Sequence, residues 1–366
     1  MTPVAAAAVV ARSEAEVLAL RSRWLDIAGG VVATDPDWVV SVARVLPGEA
    51  RPHAIAFVRG ESVEALAVGN ARMREVPCRV GRKAVYSPVV STLTIVEDGF
   101  LGRLDDASAR ALAHELRATL HRGEADVCLL LHVPATSPIR AALRAVVPGR
   151  RRREAVFQRR WSRQLPDSYD DFLATLSSGM RKSMRRNRRR LEGDLGARLD
   201  LRAFRRPEDV DELLRHAEFV TRRTYQRELG VGFRATDVTR WSIAEGARRQ
   251  LLRAWVLYVD GEPIAVDWGL VYNGTFRWVD GAFDPAYSAR GPGTYLTGKV
   301  IEALCEDADV RRLDFGLGDS EYKRRLGCTY TLEGDILVAA ARPRPLWMAA
   351  VYGAGVALTK AYRAVR

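Results

Sequence analysis

The chain has 366 residues, about twice the usual size of one domain, so two domains are expected. With 48% hydrophobic and 28% charged residues it is neither fibrous nor wholly disordered. Cys78, Cys128, Cys305 and Cys328 match no metal-binding spacing, the start of the chain does not read as a secretion signal, and the uncharged run Pro345 to Thr359 is too short to span a membrane, so a cytoplasmic protein without a metal is expected.

In chain order, the first half predicts helices over Ser13 to Ile27 and Pro36 to Leu46. Strands follow around His53 to Val58, Val63 to Gly69 and Ala84 to Pro88, then a helix from Ala107 to His121 and an apolar strand at Val127 to His132. This is an α/β layout without a dense cluster of catalytic residue types. Next comes an arginine-rich passage: Ala141 to Arg190 holds 15 basic and 4 acidic residues, nearly the whole of the net +12. Its second part reads as a helix, because Leu173, Leu176, Met180, Met184 and Leu191 recur every three or four residues, with Asn187 in the remaining seam position. The other faces carry Arg181, Lys182, Arg185, Arg186, Arg188 and Arg189, a surface suited to a polyanion or simply to water.

Ala197 to Phe204 then predicts a strand, and Pro207 to Leu229 and Asp237 to Gln250 predict helices. The period switches to two over Leu252 to Val259, Ile264 to Val271 and Thr275 to Asp280, with D-G and N-G turns between, which makes an antiparallel meander. A helix from Gly293 to Cys305, a strand at Arg311 to Phe315, a short helix over Ser320 to Leu326 and a strand from Tyr330 to Ala340 complete the pattern. The boundary between two domains is placed near Trp161, giving 1–160, 161–340 and a helical extension over 341–366. For Leu346 to Val365 a lid, an interface and a membrane-touching helix are all open, as is the oligomeric state.

Two segments concentrate chemistry. From Trp278 to Leu304 a strand feeds a turn with Gly291 and Gly293 and then a helix, whose first N–H groups have no internal partner and suit phosphate. Pro292 contributes no N–H to that nest. From Leu313 to Gly327, Gly318 gives a pliable turn, with Tyr322 and Lys323 just after it; a tyrosine can donate a proton and a lysine can hold a phosphate or carboxylate. Asp267 and Asp280 sit in otherwise apolar strands, where a charge calls for a partner or a solvent-filled cleft. Desolvation of Asp280 would raise its pKa and make it a usable base, whereas Asp284 before Pro285 reads as a turn former.

SSGMRKSMRRNRRRLE (Ser177 to Glu192), GAFDPAYSARGPGTYL (Gly281 to Leu296) and DFGLGDSEYKRRLG (Asp314 to Gly327) together resemble the GNAT acyltransferases. The likeness is to the branch with BioF2-like and cellulose-biosynthesis CelD-like proteins, similar in turn to the FemAB peptidyltransferases. It covers about residues 160 to 340 and implies a mixed α/β sheet in two GNAT-like domains, the N-terminal one a degenerate copy. It further implies that acetyl-CoA or another acyl-CoA lies along the backbone around Val279 to Gly281, with its pyrophosphate at Gly291, Gly293 and Thr294. Tyr322 would protonate the departing thiolate, and Lys323 would contact substrate phosphate or carboxylate. The usual loop begins with Gln or Arg; here Ser288 takes that place and Arg290 is displaced by two, which leaves room for aminoacyl-tRNA as another donor.

The expected reaction is direct transfer of the acyl group to an amine or hydroxyl of a small-molecule or saccharide acceptor. Asp280 is the expected base and Tyr322 the expected acid. An aminoacyl-tRNA-dependent transferase, and a non-catalytic module that binds nucleic acid or an anionic surface, are the alternatives.

Overall fold

The structure, a computed structural model, describes residues 7–27, 29–81, 83–224 and 232–364. These fall into two compact units: residues 159–330, and the chain to either side of them.

The first unit opens with β1 (Ala7–Ala11), α1 (Glu14–Ala19), α2 (Arg21–Leu25) and α3 (Pro36–Ala43). The single helix expected over 13–27 is thus two short ones. α3 starts sharply because the Asp35 side chain accepts from the Trp38 N–H and Pro36 fills the first position, where no N–H is needed. The strands β2 (Arg51–Arg59), β3 (Ser62–Glu75), the hairpin β4 (Cys78–Val80) and β5 (Lys83–Tyr86), and β6 (Val89–Gly102) follow. β1 and β6 were not anticipated. β6 lacks clean alternation because most of its residues from Val90 to Ile95 are buried, so period two does not stand out. α4 (Asp106–His121) is capped by Asp105 and buries Leu112 and Leu116; β7 (Val127–Pro134), α5 (Pro138–Val146) and β8 (Arg152–Glu154) complete this stretch.

The second unit contains β9 (Gln158–Gln164), α6 (Tyr169–Thr175), α7 (Ser178–Leu195), β10 (Leu199–Phe204), α8 (Val210–Arg222) and α9 (Asp237–Arg248). The expected helix over 207–229 begins as a 3₁₀ turn at Pro207–Asp209, and its stretch 225–229 lies outside the described residues. The meander is β11 (Leu252–Val259), β12 (Glu262–Tyr272) and β13 (Thr275–Phe283); α10 (Pro292–Cys305), β14 (Arg312–Leu317) and α11 (Glu321–Arg325) follow. The sheet order is β9-β14-β13-β12-β11-β10, antiparallel except for β13 on β14. α6, α7 and α10 cover one face, where Met180, Met184, Leu191, Leu296 and Val300 meet Trp255, Leu257 and Phe276. Alternation turns Tyr258 to the other face, where its hydroxyl lies 2.8 Å from His216 Nδ1 on α8.

The last strand, β15 (Thr329–Ala339), was expected to end the second domain. From residue 331 onward it groups with the first unit, where it pairs with β7 and β8 and extends the order β1-β2-β3-β6-β7-β15. Its two faces explain the choice: Ile336 and Val338 enter one cluster with Leu93 and Leu130, while Leu337 and Ala339 enter another with Val76 and Met348. A strand apolar on both sides does not reveal in sequence which sheet it will join. The closing helix α12 (Pro343–Ala364) covers that second cluster.

A candidate acyl-transfer cleft

β13 and β14 pair only at Thr275–Arg277 with Arg312–Asp314, and then each strand continues without the other. Two local features open this gap. In β13 the register places Asp280 opposite Trp268 and Trp278 opposite Gly269, so Val279 has no opposite number and forms a β-bulge. On the other side β14 is held to β9: the Arg160 guanidinium bonds the Asp314 carboxylate, whose second oxygen accepts from the Gly316 N–H. Burial pushes the Asp314 carboxyl up, but Arg160, with Arg277 and the Gly316 N–H, keeps the group below the usual carboxylate range.

The gap widens into a cleft of roughly 930 Å³. Val279, Asp280 and Gly281 line it from β13, Ser288 from the following turn, and Gly293 and Thr294 from the start of α10. Met180, Ser183 and Met184 contribute from α7, Phe315 from β14 and Tyr322 from α11. Seven of the sequence-predicted site residues therefore share one cavity. The Pro285–Arg290 turn is begun by Asp284, whose side chain accepts from the Ala286 N–H, and it ends at Gly291 with φ of 67°. That left-handed conformation is why glycine stands at 291, and a Cβ there would also come within 2.5 Å of the Asn187 amide. Asn187 donates to the Arg290 and Gly291 carbonyls, so α7 holds the loop in place. The first helical bond runs from the Tyr295 N–H to the Gly291 carbonyl, leaving the N–H groups of Gly293 and Thr294 ahead of the ladder at the cleft.

In the sequence Asp267 is a charge that calls for a partner or a solvent-filled cleft. Here it is 7% exposed, accepts from the Trp278 indole N–H at 3.1 Å and lines the same cleft. It lies opposite Gly281, where a Cβ would fall 1.9 Å from its Oδ1, so the glycine makes room for the carboxylate. Burial pushes the Asp267 carboxyl well above its ordinary range, and the Asp280 charge adds to this. Asp280, half-buried, is likewise raised by burial, against the pull of the Gly281 N–H that its own carboxylate accepts. The signal that could have singled out Asp267 was its position midway along a strand that is otherwise buried from Pro263 to Val271.

Tyr322 stands edge-on to Phe315, which stacks on Trp278. Nearly half of its surface is open (48%), yet burial around the phenol, with the Asp267 charge, pushes it up to about 12. Lys323 departs from expectation. It is buried, and its ammonium donates to the carbonyls of Phe315, Leu317 and Gly318 at 2.9–3.3 Å, so it shapes the loop after β14 instead of meeting a substrate. The ammonium thereby gathers the carbonyls of a loop that turns through left-handed Gly316 and Gly318. Arg290 also lies outside the cleft lining, on the exposed turn. On α7, Arg188 is committed to Glu192 and Glu302, and Arg181 to the Ala174 carbonyl. Lys182, Arg185, Arg186, Arg189 and Arg190 are exposed and make no ion pair among the described residues.

A strand bulge, a splayed parallel pair and a helix start at one cleft define a GNAT-type acyltransferase fold. The sequence model of the family described as acetyltransferase (GNAT) domain matches residues 178–324. Among solved structures, FemX is similar over 91% of this chain and 97% of its own, with 11% identity and a TM-score of 0.61. A tandem GNAT protein from the clavulanic acid biosynthesis pathway, solved without AcCoA, is similar over 93% and 100%, with 16% identity and a TM-score of 0.54. L-PGS from Bacillus licheniformis is similar over 92% and 96%, at 13% identity and 0.52. These likenesses fit two GNAT-like domains in one chain. No curated protein matches it.

Proposed function

We propose that residues 159–330 transfer an acyl group from an acyl-CoA to an amine by direct attack. One juxtaposition carries the reading: Asp267, Asp280 and Tyr322 line the gap between β13 and β14 together with Gly293 and Thr294, whose N–H groups precede the first helical bond of α10. The donor's pyrophosphate would lie against those amides and its pantetheine arm along the bulged stretch Val279–Gly281, where β13 has an open edge.

Asp267, with Asp280 beside it, takes the proton that the attacking amine loses. As the nitrogen–carbon bond forms and the carbon–sulfur bond breaks, the Tyr322 hydroxyl gives its proton to the leaving sulfur. The two groups are coupled. The Asp267 charge is part of what holds the phenol high, so protonation of Asp267 removes that contribution and makes Tyr322 a better acid as the thiolate departs.

The test is thiol release from acetyl-CoA across a panel of amines, sugars and amino acids. Acceptor-dependent, saturable release supports the proposal. The exposed cations of α7, on the helix whose Asn187 holds the loop, favour a second reading in which the donor is aminoacyl-tRNA. Absence of acetyl-CoA binding together with ribonuclease-sensitive transfer that weakens steeply with salt would establish that reading instead.

A further inference from the structure

We infer that α12 docks flat on an anionic lipid surface. Its buried side carries Met348 and Ala349, which pack in the first unit's core, and Gly355, where a Cβ would strike the Arg79 carbonyl. The solvent-facing side is apolar too. Trp347, Ala354, Leu358 and Tyr362 fall on one exposed face at helical spacing, with half-buried Val351 between that face and the core. Trp347 is 64% exposed, and Leu358 and Tyr362 are each 56% exposed. A large aromatic at each end of an exposed aliphatic stripe is the arrangement that seats a helix at a bilayer interface.

The neighbouring charge selects the lipid. From Ile336 to Arg366 the sequence has five basic residues and no acidic one, and from Val76 to Val96 it has three basic residues and no acidic one. The fold joins these two stretches: the β4–β5 hairpin meets α12 through the Gly81 N–H on the Thr359 hydroxyl at 2.8 Å, and the Arg344 guanidinium reaches the Val89 carbonyl at 3.1 Å. Val85 and Val89 are exposed there beside Arg79 and Lys83. Arg79, Lys83, Arg344 and Lys360 are exposed around the stripe, while Arg342 is paired with Asp126, and this excess of cations beside an apolar face complements phosphate headgroups. A second copy of the chain fits it less well, because two-fold pairing would set like charges against each other. No helix among the described residues is long and apolar enough to cross a membrane, so the contact is peripheral.

The test is co-sedimentation of the full chain with vesicles of phosphatidylcholine alone and of equimolar phosphatidylcholine and phosphatidylglycerol. The inference predicts binding to the anionic vesicles only, weakened by salt. Trp347→Glu with Leu358→Glu should cut partitioning by about tenfold or more, and Lys83→Gln with Lys360→Gln should cut it severalfold. Both pairs are at exposed positions, and an unchanged circular dichroism melt checks that the fold is retained. Failure to bind anionic vesicles would overturn the inference. So would binding that ignores both pairs of substitutions, or a dimer in sedimentation velocity that the Trp347→Glu, Leu358→Glu chain loses. None of these outcomes bears on the acyl-transfer reading, which concerns the other unit.

Discussion

Burial and the Asp267 charge both oppose the Tyr322 phenolate and keep the hydroxyl protonated beyond the ordinary tyrosine range, so its contribution belongs to the bond-breaking step. Tyr322→Phe is expected to lower kcat about 100-fold and to change the acetyl-CoA Kd by less than about twofold; steady-state kinetics and calorimetry on the same preparation check both. Asp267 separates function from stability. Its folded pKa lies above the unfolded value of about 3.9, so ionisation costs stability as pH rises from there through the folded pKa. Asp267→Asn should therefore match or exceed the parent Tm at pH 8, with the advantage vanishing near pH 4, while transfer falls at least about tenfold. A lower Tm at pH 8 would show that the carboxylate stabilises the fold. Residues of this kind were half legible in the sequence. Asp267 and Asp280 stand out as charges in apolar strands and Tyr322 by its place after the Gly318 turn, but which of them share a cavity depends on the Val279 bulge, a one-residue register shift that alternation alone does not reveal. Lys323 is illegible in the sequence for a related reason: a lysine beside a glycine turn looks the same whether it serves a ligand or the turn's own carbonyls.

At the scale of elements, α10 and the turn before it form a rigid cradle, since Asn187 fixes two carbonyls and Gly291 fixes the left-handed entry. Gly291→Ala should cost about 1 kcal/mol through the positive φ alone and more through collision with Asn187, and it should weaken acetyl-CoA binding. Thermal melts and calorimetry test the two effects separately. β14 depends on the buried Arg160–Asp314 pair. Asp314→Asn removes the carboxylate charge that the buried Arg160 guanidinium bonds and should cost about 3 kcal/mol. In the parent this stabilisation is present above the unfolded Asp pKa and fades as pH falls through the lowered folded pKa, so the parent and Asn melts should converge in acid. The helices and the meander were readable because D-G and N-G turns and the three-or-four spacing are local signals. The splay of β13 from β14 has no such local mark.

For the whole molecule, the first unit is completed by residues from the far end of the chain. Ending the chain at Tyr330 removes Ile336 to Ala339, all fully buried, together with α12. Hydrogen exchange on that truncation should show lost protection at β7 and at the β4–β5 hairpin, with β11 to β13 little changed. Uniform loss in both units would instead mean that they fold as one. Two domains could be anticipated from length, and the likeness of the second from the three matching stretches, whereas the return of β15 to the first unit could not, because its apolar run suits either sheet. The most direct measurement of the central claim is residue-level hydrogen exchange with and without acetyl-CoA. The account predicts slowed exchange at Gly293, Thr294 and the Val279–Gly281 stretch, reduced in Gly291→Ala. Binding that leaves those amides unchanged, or protects only residues outside 159–330, would contradict it.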